Sequence, residues 1–210
     1  MSQFIKDANW RYATKQFDST KKVSKTDLDT LKEAIRLSSS SYGLQPYKVL
    51  IIENSDLREQ LQPASWGQSQ IVDASHIIVF ANTINIGNAE IDTYFKNLIE
   101  TRNIPSEAIQ GYSDFMKSKI NNLSEDAKNT WTSKQAYLAL GNLLNAASEL
   151  KIDVTPMEGF EPSKYNEILG LTKLGLNATV IAAIGYRHED DATQNYAKVR
   201  KSNEDLFNNL

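Results

Sequence analysis

Apolar residues recur along this chain in two periods, and each switch between them marks the end of one element and the start of the next. Phe4, Ile5, Ala8 and Tyr12 fall on one side of a helix predicted over residues 3–12. Ser24, with Asp27 three residues on, reads as an acidic capping box. It opens a helix on Leu28, Leu31 and Ile35. The continuous run Tyr47-Lys48-Val49-Leu50-Ile51-Ile52 predicts a buried strand. Short helices are expected over Ser55–Leu61 and Trp66–Ala74, then a strand over Ile77–Ala81. Two amphipathic helices follow, on Ile91, Tyr94, Phe95 and Leu98, then on Ile109, Tyr112, Phe115, Met116 and Ile120, with Pro105 suited to the first turn of the second. Together they form a helical insertion over 88–122, polar on its other face. A long helix from about Ser124 to Leu150 is apolar nearly all round in its second half. The strand at Val154-Thr155 should stop at Pro156, which has no N–H for a ladder. A helix over Pro162–Leu169 and a strand over Ala178–Ile184 complete the pattern. Helices around about four strands, without regular strand–helix alternation, indicate an α+β chain with a mixed sheet.

Composition narrows the chemistry. The 210 residues fit one domain over the full length 1–210, and 40% hydrophobic with 23% charged content is ordinary for a globular protein. A net charge of −3 gives no general pull toward nucleic acid or anionic membrane, so neither is expected as a partner. The absence of cysteine excludes disulfides, iron–sulfur clusters and thiolate catalysis. The two histidines, His76 and His188, lack metal-ligand spacing, and His76, at a strand entry, suits a cap or core edge. No metal site is expected. Met1–Trp10 has no signal-like apolar stretch and no apolar run is long enough for a bilayer, so a cytoplasmic protein is the default expectation.

No nucleophile elbow, Walker loop or G-x-G-x-x-G is present. What remains is distributed recognition. Arg11 and Lys15 lie near one end of the chain and Lys198 and Arg200 near the other, residues suited to a phosphate or equally to solvated surface. Ser38-Ser39-Ser40-Ser41-Tyr42-Gly43 offers hydroxyl donors in a turn. Pro156-Met157-Glu158-Gly159-Phe160 reads as an ordinary strand-to-helix turn or as a loop whose free N–H groups meet a flat, acceptor-rich ligand.

In register, these segments are similar to those of a known family. Arg11-Tyr12-Ala13-Thr14-Lys15-Gln16-Phe17-Asp18, Ser40-Ser41-Tyr42-Gly43-Leu44-Gln45-Pro46-Tyr47, Asp73-Ala74-Ser75-His76-Ile77-Ile78-Val79-Phe80, Pro156-Met157-Glu158-Gly159-Phe160 and Lys198-Val199-Arg200 run in the order of the FMN-dependent nitroreductases. The chain most resembles their oxygen-insensitive NAD(P)H nitroreductase and dihydropteridine reductase branch. The resemblance implies an intertwined α+β homodimer with FMN at the subunit interface and NADH or NADPH as hydride donor. It implies a two-step hydride transfer through flavin N5 to a nitroaromatic, quinone or related small-molecule acceptor.

Carried over by position, Arg11, Lys198 and Arg200 would grip the phosphate, with Tyr12 and Ala13 beside them. Lys15 would face the N1/O2 edge of the ring, and the Glu158 and Gly159 N–H groups N5 and O4. Pro156 and Met157 would pack on the ring, and Ser40, Ser41 and Gln45 would reach the partner's FMN. The resemblance also implies that the long helix lies in the dimer interface and that 88–122 lines the pocket entrance. No side chain is implied as an acid or base; Lys15 and the Glu158 backbone would tune the flavin. Three positions depart from the pattern: Gly43 and Gly67 stand where the family has Asn, and Gln70 where this branch has Lys. Gln70 keeps hydrogen bonding to the pyrimidine edge but not the charge. The alternatives are other flavin chemistry on the same fold, such as dehalogenation or flavin fragmentation, and a non-catalytic flavin-binding protein.

Overall fold

Four strands pair into one sheet of order β1-β2-β4-β3, built from Tyr47–Ile52 (β1), His76–Thr83 (β2), Asp153–Met157 (β3) and Leu176–Gly185 (β4). The computed structural model describes residues 1–210 throughout. Helices α1 (Gln3–Trp10) and α2 (Lys25–Arg36) precede β1; α3 (Ser55–Leu61) and α4 (Gln70–Asp73) lie between β1 and β2. Then come α5 (Asn88–Arg102), α6 (Gln110–Asn121) and the long α7 (Glu125–Glu149). Helix α8 (Pro162–Ile168) joins β3 to β4, and α9 (Asn203–Leu206) lies in the tail.

Because side chains alternate across a strand, β2 supplies two cores at once. Ile77, Val79 and Ala81 face Leu61, Ile71, Phe160 and Tyr165 on the α3/α8 side. Ile78 and Phe80 face Leu31 and Ile35 of α2 and Leu140 and Leu143 of α7. Both faces are covered, which is why β2 and most of β4 read as unbroken apolar runs. Ser24 caps α2, its Oγ accepting from the Asp27 N–H at 3.1 Å, but the reciprocal half of a capping box is missing: the Asp27 carboxylate accepts from the Ser24 hydroxyl at 2.7 Å and not from its N–H. A third, smaller core belongs to α5 and α6: Ile86, Ile91, Phe95, Met116 and Ile120, with Tyr42, Leu44 and Trp131 packed against it. No helix is long and apolar enough to cross a membrane.

Several expectations change. The sheet expected to be mixed is antiparallel at all three pairings. The strand expected to stop at Pro156 runs on to Met157, with Pro156 opposite Ala182. This is possible because β3 is an edge strand, where alternate N–H groups point away from the sheet. Strand β1 is likewise an edge, and Val49, Leu50 and Ile51 remain partly exposed, so it is not the buried strand its composition suggests. The helix expected over Trp66–Ala74 shrinks to Gln70–Asp73. Trp66 (φ +56°) and Gly67 (φ +71°) take left-handed backbone angles that no helix continues through. Pro105 does not begin α6 but precedes a separate 3-10 turn at Ser106–Ala108. Phe4 and Ile5 of α1 stay exposed, and only Asp7 of that helix is buried.

His76 is buried at the start of β2, its Nδ1 2.9 Å from Ser75 Oγ. Burial holds its pKa below the ordinary value, against the opposing pull of Glu53. The unfolded chain therefore takes up a proton near pH 6.5 while the folded chain resists it, so stability falls as pH drops below about 6.5. Unfolding free energies from pH 7.5 to 5.5 should show this loss, at most about 1.4 kcal/mol per pH unit from this group. His76→Asn should have a shallower slope; an equal slope would place the effect elsewhere.

Candidate active site

The two ends of the chain meet at a basic cluster. Arg11 follows the last turn of α1, and the tail brings Lys198 and Arg200 beside it, so that all three line a cavity of about 500 Å³ together with Tyr12 and Ala13. Burial, then the charge of Arg200, lowers the pKa of Arg11. Burial, then Arg11 and Arg200, lowers that of Lys198. Cations that depress one another are short of counter-charge, and an anion would relieve them. Lys198 has a second role: its ammonium donates to the carbonyls of Ala8, at 3.0 Å, and Arg11, closing the C-terminus of α1.

From this cluster residues 12–18 run alongside 186–191. Phe17 bridges to Arg187, and the His188 N–H donates to the Gln16 carbonyl at 2.9 Å. Asp191 pins the segment. Its carboxylate accepts from the Tyr12 hydroxyl at 2.9 Å and from the Lys15 and Gln16 N–H groups at 2.8 and 3.1 Å. Burial pushes its pKa up, but these bonds and those from Thr193 prevail and bring it to about 2. Neither Asp191 nor Arg187 was singled out from sequence; the acidic run Glu189-Asp190-Asp191 reads as solvated surface. Thr155, in the middle of β3, donates its hydroxyl to the Thr14 carbonyl at 2.6 Å, which ties the segment carrying the exposed Lys15 to that strand.

At that end the backbone changes character. The Phe160 and Glu161 N–H groups are bonded, to the Glu158 and Ala64 carbonyls at 2.9 and 2.8 Å, whereas the Glu158 and Gly159 N–H groups have no partner in the chain. Two adjacent free donors suit an acceptor-rich ligand edge. The loop is braced from both sides. The Tyr137 hydroxyl of α7 donates to the Glu158 carboxylate at 2.5 Å, and the Gln68 amide donates to the Gly159 carbonyl at 2.8 Å. Burial and the Glu158 carboxylate push the Tyr137 pKa up to about 12. The Trp66 ring lies so close that a Cβ on Gly159 would stand 2.9 Å from it. Gln70 is only 7% exposed, yet its carboxamide makes no hydrogen bond within the chain. Pro156 is half-buried and Met157 buried.

The serine segment lies elsewhere. Ser40 Oγ accepts from the Gln45 N–H at 2.9 Å, and the Ser41 N–H donates to Gln135 of α7 at 2.8 Å. Tyr42 (φ +59°), Gly43 (φ +74°) and Gln45 (φ +44°) all take left-handed angles, a strained turn held in place by its surroundings. The Gln45 amide donates to the Arg36 carbonyl at 2.8 Å, so this side chain also closes α2. A Cβ at Gly43 would meet the Tyr94 hydroxyl at 3.2 Å, whereas a Cβ at Gly67 would meet nothing within 4 Å. The first replacement of Asn is therefore matched by a crowding tyrosine; the second leaves open space.

One chain does not bring all these residues together. The serine segment adjoins β1 and the Pro156–Phe160 loop adjoins β3, at opposite edges of the sheet and separated by three inter-strand spacings, roughly 14 Å. Gln135, which holds Ser41, and Tyr137, which holds Glu158, lie roughly 200° apart around α7.

A family model described as Nitroreductase family matches residues 8–186. The chain belongs to the nitroreductase family. It is 36% identical over 200 residues to a Bacillus subtilis (strain 168) protein named as an NAD(P)H nitroreductase, YfkO, covering 90% of each chain. It is 34% identical over 210 residues to the major NAD(P)H-flavin oxidoreductase of Aliivibrio fischeri, covering 97% of this chain and 96% of that one. Among solved structures, Bacillus subtilis YdfN superposes with a TM-score of 0.89 at 20% identity, covering 99% of both chains. A nitroreductase from Exiguobacterium sibiricum 255-15, solved in complex with FMN, superposes with a TM-score of 0.85 at 20% identity, covering 100% of this chain and 98% of that one. These structural likenesses establish the nitroreductase fold.

The packing around Gly159 yields a direct test. Gly159→Ala should push the exposed Trp66 ring aside and destabilise the protein by up to about 1 kcal/mol in denaturant unfolding. In the double variant with Trp66→Ala, most of that loss should disappear relative to Trp66→Ala alone. Additive losses would mean that the ring does not set the space.

Proposed function

We propose that this chain is an FMN-dependent NAD(P)H oxidoreductase that reduces nitroaromatics, quinones or related acceptors in two half-reactions. The observation that carries this reading is the pair of free N–H groups at Glu158 and Gly159, in a loop braced by Tyr137 and Gln68. When bound, FMN supplies the chemistry: it accepts a hydride from NAD(P)H and passes two electrons to the acceptor. Relatives named as NAD(P)H nitroreductases and NAD(P)H-flavin oxidoreductases support this activity, and a fold neighbour in complex with FMN supports the cofactor.

The chain's own residues would share the work as follows. Arg11, Lys198 and Arg200 would hold the phosphate, whose charge relieves their mutual repulsion. Lys15 would place a fixed cation beside the ring and stabilise negative charge there, an effect strengthened where water is excluded. The Glu158 and Gly159 N–H groups would donate to the ring's acceptor edge, with Pro156 and Met157 against its face. Gln70 would offer one donor and one acceptor to a lactam edge. The Glu158 carboxylate, already bonded by Tyr137, is not needed as an acid or base.

The site is proposed to be completed in a homodimer, with Ser40, Ser41 and Gln45 serving the partner's FMN. The separation of the two loops across the sheet supports this, since it sets them at opposite edges within a chain. The partly exposed edge strand β1, exposed Tyr137 and Leu138 on α7, and a tail with exposed Val199, Leu206 and Phe207 are surfaces such a dimer would cover. The α5/α6 hairpin, packed on Tyr42 and Leu44, is proposed to border the entrance through which acceptors arrive.

Bound yellow flavin that bleaches with NADH or NADPH is the expected result; failure of both to bleach it would end the reductase reading. Arg200→Ala should weaken FMN about tenfold while barely affecting riboflavin, because only FMN carries the phosphate. Equal losses would place Arg200 away from the phosphate. Lys15→Ala should lower FMN affinity or the rate of flavin reduction by a similar factor in stopped-flow measurements, and wild-type values for both would remove its role.

A further inference from the structure

We propose that Asp191 is the positioning residue that keeps the phosphate-binding cations and the ring-facing lysine in fixed register; this rests on the flavin reading above. Asp191 is 3% exposed and uses both carboxylate oxygens. One accepts from the Tyr12 hydroxyl and the Lys15 and Gln16 N–H groups. The other accepts from the Thr193 N–H at 3.0 Å and the Thr193 hydroxyl at 2.5 Å. The first set fixes the segment that carries Arg11 and Lys15. The second fixes the start of the tail that carries Lys198 and Arg200. A single buried carboxylate thus ties together two pieces of chain that are 176 residues apart along the sequence.

A second linkage runs from the same point to the start of β3, the strand whose far end leads into the Glu158–Gly159 loop. Tyr12 stacks on the Arg187 guanidinium, 4.5 Å from its ring centre, and Trp10 covers it at 4.3 Å. Arg187 in turn pairs with the buried Asp153 at the start of β3, donating from Nη2 at 2.6 Å and from Nε at 3.0 Å. The chain Asp153–Arg187–Tyr12–Asp191 therefore runs from the start of the strand that leads toward the Glu158–Gly159 loop to the segment that carries Lys15. Asp191 is too enclosed by these donors to act on a ligand itself. Its influence is on where the cations stand.

The test compares wild type, Asp191→Asn and Tyr12→Phe, each freed of flavin and titrated with FMN and with riboflavin, with the midpoint potential of the bound flavin and thermal melting also measured. Asp191→Asn replaces one accepting oxygen with a donor. It should weaken FMN about tenfold or more. It should also reduce the preference for FMN over riboflavin and make the midpoint potential more negative, as Lys15 moves from the ring. Tyr12→Phe removes one donor from the same oxygen, should fold whether or not Asp191→Asn does, and should shift all three quantities in the same directions by smaller factors. Wild-type values in either folded variant would overturn the proposal. So would equal losses for the two flavins at an unchanged potential, which a merely loosened fold would give. If wild type binds neither flavin, the flavin reading itself fails; if wild type binds FMN and the variants bind it equally well, only the role of Asp191 fails.

Discussion

Pairing of β2 with β4 over their full lengths puts these two strands in the interior of the sheet and consigns β1 and β3 to its edges. Everything chemical follows from that division. The strained serine turn leads into one edge strand, the free N–H pair follows the other, and α7 crosses the sheet face between them with a polar side chain bonded to each. A packed sheet does not flex by the width of two strands, so the separation is a fixed dimension of the molecule. In the proposed reading the two loops serve one flat ligand in two copies of the chain, and the exposed apolar residues of the edge strand, the long helix and the tail are what a second copy would cover.

The cationic end of the site depends on a different economy. Three positive groups gather around one cavity without a carboxylate to neutralise them, while the nearby acid, Asp191, has all its accepting capacity taken by backbone and hydroxyl donors. The acid stabilises the scaffold and leaves the cations unpaired. Arg187 shows the opposite arrangement: it is paired with the buried Asp153 and flanked by two aromatic rings, so its charge is engaged within the fold.

Much of this was legible in the residues. Period and capping located the helices with long amphipathic stripes and both interior strands, because their burial on two faces leaves an unmistakable apolar run. The errors fell where backbone angle or sheet position decides. Trp66 gives no sign in sequence that it will turn left-handed and end a helix before it starts. Pro156 looked like a strand terminator because nothing local says that β3 is an edge. Of the candidate site, Arg11, Lys198 and Arg200 do converge, and the Glu158 and Gly159 donors are indeed free. Asp191 and Arg187 were missed since a charged residue in a polar stretch signals solvent; only contacts with residues far away in sequence turn each into a buried anchor.

The α5/α6 hairpin has its own core, yet Tyr42 and Leu44 of the serine turn and Trp131 of α7 form part of its packing, with Tyr42 meeting Trp131 edge to ring at 6.2 Å. The hairpin is thus not a detachable cassette. Grafting a hairpin from a relative would expose or crowd Tyr42, and so disturb a turn whose backbone is already strained. A successful chimera has to import the matching residues at 42, 44 and 131 along with the hairpin, and natural variation at these positions should track the hairpin's sequence and not that of the sheet.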